Sequence, residues 1–294
     1  MTVGVIGLGS IARKHIDALR EIHPQAEFYA LRHQVDAPAR EGIANVFSIG
    51  ELLEKNPDFI LVSNPTAAHF QTLTALAGND IPLFIEKPLF DRLHPRPDVS
   101  QLTYVACNLR FLGCLNFVKE NLSGRRINEV NMYCGSYLPE WRPVTDWRSI
   151  YSANKSMGGG VHIDLIHEID YAYWLFGAPD SVRKTFRHVS SLEIDAYDYA
   201  NYCLEYGNFT ASVILNYYRR DYKRTLEIVF DDCTWEADLA KNMVVCNGEI
   251  LYESSETFAD TYKKQMRHFL EAIRSGKTFN SVNEAYDVLK ICLE

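Results

Sequence analysis

Short apolar segments alternate with amphipathic segments through the first third of the chain. Residues 3–6 are apolar without interruption, as in a buried strand, and apolar positions recur at helical spacing over residues 11–21. The same alternation predicts further strands at 28–31, 59–63, 82–86 and 104–108, and helices at 50–55 and 67–77. Strands that alternate with helices form parallel βαβ units. The first part of the chain is therefore predicted to be a doubly wound, parallel α/β sheet.

A different pattern begins after about residue 110. Between residues 182 and 252 several strands follow one another across short turns, which is typical of an antiparallel or mixed sheet. The other predicted elements are a strand at 129–135 and helices at 114–121, 160–176, 261–275 and 282–294. Two domains are predicted. Residues 1–110 form the parallel α/β domain, and residues 111–294 form an α+β domain with a large open, mostly antiparallel sheet.

Composition narrows the class of protein. The 294 residues carry 30 Lys and Arg against 38 Asp and Glu, a net charge of −8 with no basic run, so no nucleic-acid partner is expected. No apolar run approaches the roughly 20 residues that span a bilayer, so no membrane partner is expected either. The seven cysteines include no CxxC pair, which favours free thiols in the cytoplasm over a zinc site. We therefore expect a cytoplasmic protein that binds no metal.

A glycine-rich turn follows the first predicted strand. Gly7, Gly9 and Ala12 fit the pattern G-x-G-x-x-G/A between a strand and a helix. The first glycine permits the tight turn, the second lets the backbone approach a pyrophosphate, and the alanine allows the helix to pack closely on the strand. The first residues of the helix, Ser10 and Ile11, would present backbone N–H groups to the phosphates. The turn therefore predicts a dinucleotide-binding site.

The end of the second predicted strand bears on the choice of cofactor. An Asp or Glu at this point would bind the ribose 2′-hydroxyl of NAD(H). The strand ends instead in Leu31 and Arg32. A guanidinium group suits a 2′-phosphate. NADP(H) is therefore the favoured cofactor, with NAD(H) as the alternative.

Three further segments complete a family pattern. They are Asn64-Pro65-Thr66-Ala67-Ala68-His69, Glu86-Lys87-Pro88, and the stretch from Gly158-Gly159-Gly160 through Asp164 and His167 to Asp170. Together with the glycine-rich turn, these segments resemble the glucose–fructose oxidoreductase / inositol dehydrogenase / rhizopine catabolism (Gfo/Idh/MocA) family. The resemblance covers nearly the whole chain.

The resemblance implies a Rossmann domain, an open-sheet domain, and an enzyme that oxidises or reduces a CH–OH group of a sugar, cyclitol or related alcohol with a nicotinamide cofactor. It also implies a homodimer or homotetramer that forms through the second sheet. By the same resemblance, the catalytic residues are Lys87, Asp164 and His167. The residues near the cofactor are Asn64, Pro65, Thr66, His69, Glu86 and Lys87.

One departure from the family pattern leaves the general base open. The family usually places the Asp and the His four positions apart, whereas Asp164 and His167 are three apart and Glu168 takes the fourth position. Residues i and i+3 share a helix face, so the Asp and the His are predicted to converge on one site. His167 is favoured as the base because imidazole titrates near pH ~6.5. Glu168 and Lys87 remain alternatives.

The other two catalytic residues have separate predicted roles. Lys87 would donate a hydrogen bond to the reacting oxygen and stabilise developing negative charge. Asp164 would orient a substrate hydroxyl or His167. The nicotinamide itself carries the redox chemistry, so these side chains supply orientation and proton transfer.

A segment rich in Trp and Arg precedes the three glycines. Aromatic rings stack on sugar faces, and Arg side chains bind anions. Arg148 in this segment is expected to contribute to such a pocket. The residues predicted to bind substrate are Arg110, Tyr137, Trp141, Arg142 and Trp147. This segment resembles family members associated with the biosynthesis of surface-glycan and sialic-acid-like sugars. A nucleotide-activated or acidic sugar is therefore favoured over free inositol or glucose.

Two other functions are considered. The first is a reductase that acts on a non-sugar substrate, which the Arg-rich segment disfavours. The second is a non-enzymatic NADP(H)-binding sensor or scaffold. The joint presence of Lys87, Asp164 and His167 argues against a sensor, because a sensor needs no proton acceptor.

Overall fold

The computed structural model describes residues 1–32, 34, 36, 38 and 40–294. The chain divides into two compact units. The first unit contains residues 1–108 and 259–290, and the second contains residues 109–258 and 291–294. The first boundary falls two residues earlier than predicted, and residues 259–290 group with the first unit and not with the second.

The packing of Phe269 explains why the chain returns to the first unit. Its side chain is fully buried. The ring meets Phe59 and Phe84 of the parallel sheet edge-on, with ring centroids 5.2 and 5.3 Å apart. The sequence pattern shows that this helix has an apolar face, but it does not show which sheet receives that face.

The first unit contains a six-stranded sheet in the order β3-β2-β1-β4-β5-β6, and all its strands are parallel. The strands are β1 (Thr2–Ile6), β2 (Glu27–Leu31), β3 (Ile43–Val46), β4 (Phe59–Val62), β5 (Leu83–Glu86) and β6 (Thr103–Ala106). The predicted doubly wound parallel sheet is therefore confirmed. The edge strand β3 was not predicted, because it is only four residues long and Asn45 interrupts its apolar pattern.

The helices agree in most cases with the amphipathic pattern. They are α1 (Ser10–Ile22), α2 (Ile49–Leu53), α3 (His69–Leu76), α4 (Gly113–Asn121), α5 (Val161–Asp164), α6 (His167–Phe176), α7 (Phe258–Ser275) and α8 (Val282–Leu293). Within the described part of the chain, no helix is long and apolar enough to cross a membrane.

The second unit contains an eight-stranded sheet in the order β14-β13-β12-β11-β7-β10-β9-β8. Its strands are β7 (Ile127–Tyr137), β8 (Ser181–Arg187), β9 (Tyr199–Tyr206), β10 (Phe209–Asn216), β11 (Tyr218–Phe230), β12 (Thr234–Asp238), β13 (Met243–Cys246) and β14 (Glu249–Glu253). Only the β7–β10 pair is parallel among the neighbouring pairs of this described sheet. The predicted mostly antiparallel sheet is confirmed.

The two faces of this sheet differ in burial. Along β7, Val130, Met132 and Cys134 are at most 2% exposed, whereas the intervening Asn131 and Tyr133 are half-exposed. Side chains alternate between the faces of a strand. One face therefore belongs to the core of the second unit, and the other is partly accessible.

The helix predicted over residues 160–176 is two helices. The backbone leaves the helical region at Leu165 (φ −96°, ψ 32°), which separates α5 from α6. Asp164 ends the first helix and His167 begins the second, so the prediction that they share one helix face is wrong. The periodicity concealed the break because Ile163, Ile166 and Ile169 are all buried at helical spacing across it.

Candidate functional site

The glycine-rich turn in the first unit is held tightly against the end of β4. Gly7 has φ +91°, and a Cβ atom there would lie 2.3 Å from the backbone nitrogen of Asn64. The Ser63 hydroxyl donates a hydrogen bond of 2.7 Å to the Gly7 carbonyl. Only glycine fits this position, as the motif requires. Ser63 was not predicted, because a serine at a strand end carries no distinctive pattern.

The amino-terminal end of α1 is open to a ligand. Gly9 precedes the helix, no side chain caps it, and the first turn carries no acidic residue. A Cβ atom at Gly9 would meet no atom within 4 Å. Ser10 is exposed, Ile11 is half-buried, and Ala12 is fully buried where the helix packs. Backbone N–H groups at such a helix end suit the phosphates of a dinucleotide.

Asn64 adds a polar group at the same edge of the sheet. Its Nδ2 donates a hydrogen bond of 2.9 Å to the Thr72 hydroxyl. Its Oδ1 is buried and has no hydrogen-bond partner among the described residues. A buried acceptor of this kind fits a donor group of a bound cofactor. Pro65 beside it is exposed, and Thr66 is buried.

Arg32 follows β2 directly and is half-exposed. Its Nη1 lies 3.4 Å from the Pro38 carbonyl and 3.4 Å from Asn45 Oδ1. Both distances are long for hydrogen bonds, so these contacts are weak. Because Arg32 follows the carboxyl end of β2, its guanidinium is close to where the adenosine ribose of a dinucleotide would lie.

The segment Glu86-Lys87-Pro88 begins at the end of β5. Glu86 is buried, and its Oε2 accepts a hydrogen bond of 3.2 Å from the backbone N–H of Lys87. The side chain of Lys87 is half-buried. The segment places a cation next to the carboxyl end of the parallel sheet, which is the edge where such sheets bind ligands.

His69, which the sequence assigned to the cofactor, is buried among backbone carbonyls. It is 1% exposed, its Nδ1 lies 3.0 Å from the Leu89 carbonyl, and its Nε2 lies 3.0 Å from the Asn64 carbonyl. Burial lowers the pKa of this imidazole. Both ring nitrogens face backbone carbonyls, so His69 lies between Asn64 and the segment after Lys87. The side chain is therefore better placed to hold this backbone than to contact a cofactor.

In the second unit, a buried tyrosine holds Asp164. The Tyr217 hydroxyl donates a hydrogen bond of 2.5 Å to Asp164 Oδ2. Burial raises the pKa of Tyr217 well above its usual value, so the phenol stays a neutral donor. Trp141 meets the tyrosine ring edge-on, with centroids 5.3 Å apart, and its Nε1 donates 2.9 Å to the Ser136 hydroxyl. Tyr217 was not predicted, because no local motif connects it to residue 164.

Glu168 is unsuited to be the general base. Its carboxylate is fully buried and accepts two hydrogen bonds, of 2.6 Å from Arg224 Nε and 2.9 Å from Arg224 Nη2. Both carboxylate oxygens are occupied in this bidentate pair. His167 is buried at the start of α6. Of the two neighbouring candidates, the geometry favours His167.

Arg110 also differs from its prediction. Its guanidinium contacts Asp170 at 3.0 and 2.7 Å, and the two side chains are 0% and 1% exposed. A guanidinium enclosed in a buried ion pair is not available to a substrate, so Arg110 is not placed to bind one. Asp170 lies in α6, and Glu168 lies in the same helix. Two buried ion pairs therefore fix the helix that carries His167.

A cleft of about 350 Å³ lies in the second unit. Of the predicted substrate residues, Tyr137 and Trp141 line it. Arg220, Tyr222 and Arg224 also line it, together with Leu165, the neighbour of Asp164. The Arg220 guanidinium stacks on the Tyr137 ring, 3.6 Å from its centroid. The acidic Glu140 lines it as well, and Arg224 is paired with Glu168, so the cleft combines aromatic rings with charged groups of both signs.

The remaining predicted substrate residues are outside this cleft. Arg142 is exposed, and the Trp147 ring contacts the Arg148 guanidinium, 4.7 Å from the ring centroid. Arg148 is paired with Asp146 and Glu193 at the surface. The sequence did carry one signal for the residues that were missed. The polar run Tyr218–Lys223 interrupts an otherwise alternating strand, and it contains Arg220 and Tyr222.

Two family models match the chain. Residues 1–102 match the oxidoreductase family with an NAD-binding Rossmann fold, and residues 116–236 match the GFO/IDH/MocA C-terminal domain. The chain belongs to the Gfo/Idh/MocA family of oxidoreductases. The resemblance stated from the motifs is therefore confirmed, and so is the prediction of an NAD(P)-dependent oxidoreductase.

Curated relatives of this Gfo/Idh/MocA protein include inositol dehydrogenases. It is 24% identical to the myo-inositol 2-dehydrogenase of Thermotoga maritima, over 94% of this chain and 89% of the relative. It is 23% identical to the scyllo-inositol 2-dehydrogenase (NAD(+)) of Bacillus subtilis, over 93% and 86%.

A solved structure shares the fold of this family member. It is the WlbA dehydrogenase from Bordetella pertussis in complex with NADH and UDP-GlcNAcA. The TM-score is 0.79 at 18% identity, covering 99% of this chain and 94% of that one. At this level of identity the likeness establishes the architecture of both sheets.

Proposed function

We propose that this protein is an NAD(P)-dependent dehydrogenase that transfers a hydride between the nicotinamide and a hydroxyl or keto carbon of a sugar or related polyol. The observation that carries the proposal is the cleft in the second unit. Its lining includes Trp141, whose ring meets Tyr217, and Leu165, which follows Asp164 in the chain. The rings of Tyr137 and Trp141 suit the apolar face of a sugar, and the neighbouring charged groups suit its hydroxyls. The inositol dehydrogenases among the relatives support this substrate class.

The first unit would hold the cofactor. Gly7 and Gly9 with the start of α1 would bind the pyrophosphate, and Asn64 would accept a hydrogen bond from the cofactor through Oδ1. When bound, the nicotinamide supplies the hydride donor or acceptor. We propose NADP(H) as the preferred form, because the contacts of Arg32 with the described residues around it are weak and its guanidinium, at the end of β2, would pair with a 2′-phosphate.

The polar side chains would transfer the proton, stabilise the developing charge and orient the substrate. In the oxidation direction, His167 would accept the substrate hydroxyl proton, because imidazole is basic near neutral pH. Lys87 would donate a hydrogen bond to the reacting oxygen and stabilise its developing negative charge. Asp164, held by Tyr217, would orient a substrate hydroxyl.

We propose a nucleotide-activated or acidic sugar as the substrate. Arg220 is exposed at the cleft and stacked on Tyr137, which preorganises its guanidinium for a carboxylate or phosphate. The fold shared with a dehydrogenase that binds UDP-GlcNAcA supports the same class. We also propose that two or four copies associate through the partly exposed face of the second sheet, which light scattering after size-exclusion chromatography would test.

The decisive experiment measures cofactor binding first and turnover second. Protein-fluorescence titrations with NADPH and NADH on one sample should show tighter binding of NADPH. A panel of UDP-sugars, UDP-sugar acids and inositols is then tested with the preferred cofactor. Turnover of an acidic or nucleotide-linked sugar supports the proposal. Cofactor binding without turnover of any polyol contradicts it.

A further inference from the structure

A buried histidine lies behind the Glu86-Lys87 segment in the first unit. His15 projects from the middle of α1 and is 0% exposed. Its ring contacts the rings of Phe84 and Tyr262, with centroids 4.8 and 5.4 Å apart. Its Nε2–H donates a short hydrogen bond to Glu86 Oε1. The histidine is therefore packed between aromatic rings, with one ring nitrogen directed at a carboxylate oxygen.

The same carboxylate bonds to the backbone of Lys87. Glu86 Oε1 accepts from His15, and Oε2 accepts from the Lys87 N–H at 3.2 Å. One buried carboxylate therefore connects a helix side chain to the backbone of the proposed catalytic lysine. Charge-assisted hydrogen bonds of this kind are stronger than neutral ones and have more restricted geometry.

Packing does not account for a histidine at this position. His15 Nδ1 is buried and has no hydrogen-bond partner among the described residues. A buried nitrogen without a partner costs free energy, which a leucine or phenylalanine in the same apolar surroundings would avoid. The contribution that sets His15 apart from these residues is the Nε2–H donor toward Glu86.

We infer that His15 is a positioning residue that, through Glu86, fixes the backbone from which Lys87 projects. The inference rests on the proposed function, in which Lys87 acts at the reacting oxygen. A catalytic group displaced by a fraction of an ångström loses rate without losing substrate affinity. His15 should therefore affect kcat more than KM or the cofactor Kd.

The test compares three substitutions at one position. His15→Phe keeps the ring contacts but removes the donor, and kcat should fall about 10- to 100-fold while KM and the cofactor Kd change less than about 3-fold. His15→Gln places an amide N–H at the level of Nε2 and should recover most of the lost rate. His15→Asn places its amide at the level of Nδ1, out of reach of Glu86, and should behave like His15→Phe. If the His15→Phe protein does not fold, His15→Asn takes its place in the comparison.

A second readout does not depend on turnover. Hydrogen exchange at the Lys87 amide should be faster in His15→Phe and His15→Asn than in the parent, because its acceptor is less firmly held. His268→Phe is the matched control in the same unit. This histidine stacks on Phe279 and contacts Thr278. Neither kcat nor exchange at Lys87 should change in the control.

The two readouts separate the inference from the proposed function. If His15→Phe is folded and keeps the parent's kcat and Lys87 exchange rate, the positioning role is wrong. If no polyol is turned over by the parent, the proposed function fails. Faster Lys87 exchange in His15→Phe but not in His268→Phe would still support the link, and unchanged exchange would overturn it.

Discussion

The two units place their candidate functional groups by different means. In the first unit, the candidate groups come at the ends of parallel strands. Directly after β1, β2 and β5 come Gly7, Arg32 and Lys87, and one residue separates Asn64 from the end of β4. Parallel strands end at a common edge of the sheet, so chain order alone brings these groups to one side. The backbone ladder between neighbouring strands then holds the strand ends from which these residues continue.

In the second unit, the candidate groups depend on side chains far away in the sequence. Asp164 is held by Tyr217, which is 53 positions later. The helix that begins with His167 is held through Glu168 by Arg224 and through Asp170 by Arg110. These partners are buried and charged or polar. Removal of one partner leaves the other buried without its hydrogen bond, which costs free energy.

The difference predicts how the two units respond to substitution. A surface cation at a strand end contributes to ligand binding and little to folding, since the backbone holds its position. Loss of one member of a buried ion pair leaves an uncompensated charge in the core. Stability and activity should therefore change together in the second unit and separately in the first.

The largest expected effect is on the stability of the second unit. Arg110→Ala leaves the Asp170 carboxylate buried without its partner and should lower the free energy of unfolding by about 3–5 kcal/mol. Urea unfolding measures the change. Arg183→Ala is the matched control, because its ion pair with Glu205 lies at the surface of the same unit, and its stability should stay close to the parent's. Equal losses in the two variants would contradict the comparison.

The next largest effect is on turnover, and it is tested with one residue from each unit. Lys87→Ala and His167→Ala should each reduce kcat by about 100-fold or more, because each removes a group that acts on the reacting oxygen or its proton. NADPH binding, measured by fluorescence, should survive in both. Near-normal turnover in either variant would show that the residue concerned has been given the wrong role.

A third substitution tests whether the first unit separates binding from folding. Arg32→Ala removes hydrogen bonds worth about 1.5–3 kcal/mol to a 2′-phosphate, so the Kd of NADPH should rise about 10- to 100-fold. The Kd of NADH and the Tm should be nearly unchanged. Equal losses for the two cofactors would exclude a role of Arg32 in recognising the phosphate, and a large fall in Tm would weaken the distinction between the units.

The smallest predicted effect concerns the aspartate in the second unit. Tyr217→Phe removes one hydroxyl that donates to Asp164, and kcat should fall by about 10-fold, since a hydrogen bond to a charged group contributes about 1.5–3 kcal/mol. Tyr151→Phe removes a hydroxyl that donates to the Gly158 carbonyl and serves as the control. A larger loss in the control than in Tyr217→Phe would mean that the segment before the glycines controls the site.

Local sequence was sufficient where geometry is set by neighbouring residues. Gly7 could be predicted because a positive φ and a close approach to Asn64 admit no other residue. Arg32 and the Glu86-Lys87 segment could be located because each adjoins a strand that is evident from its apolar pattern. The same reasoning identified the order of strands and helices and the family.

Local sequence failed where a partner comes from elsewhere in the chain. His69 was given to the cofactor, and Arg110 to the substrate, because a polar residue in a motif carries no sign of the group that it will meet when buried. Arg224 and Tyr217 were missed for the same reason. The break at Leu165 was hidden because buried isoleucines continue the helical spacing across it.

The sequence by itself therefore determined the two kinds of sheet, the glycine turn and the residues that begin each functional segment. These depend on periodicity and backbone conformation, which act over a few residues. Only the tertiary structure decided which carboxylates are already paired, which imidazoles are enclosed by backbone, and which rings border the cleft. Those outcomes depend on contacts between segments that are distant in the sequence. Such contacts form only when the chain folds, and their strength depends on burial in the folded interior.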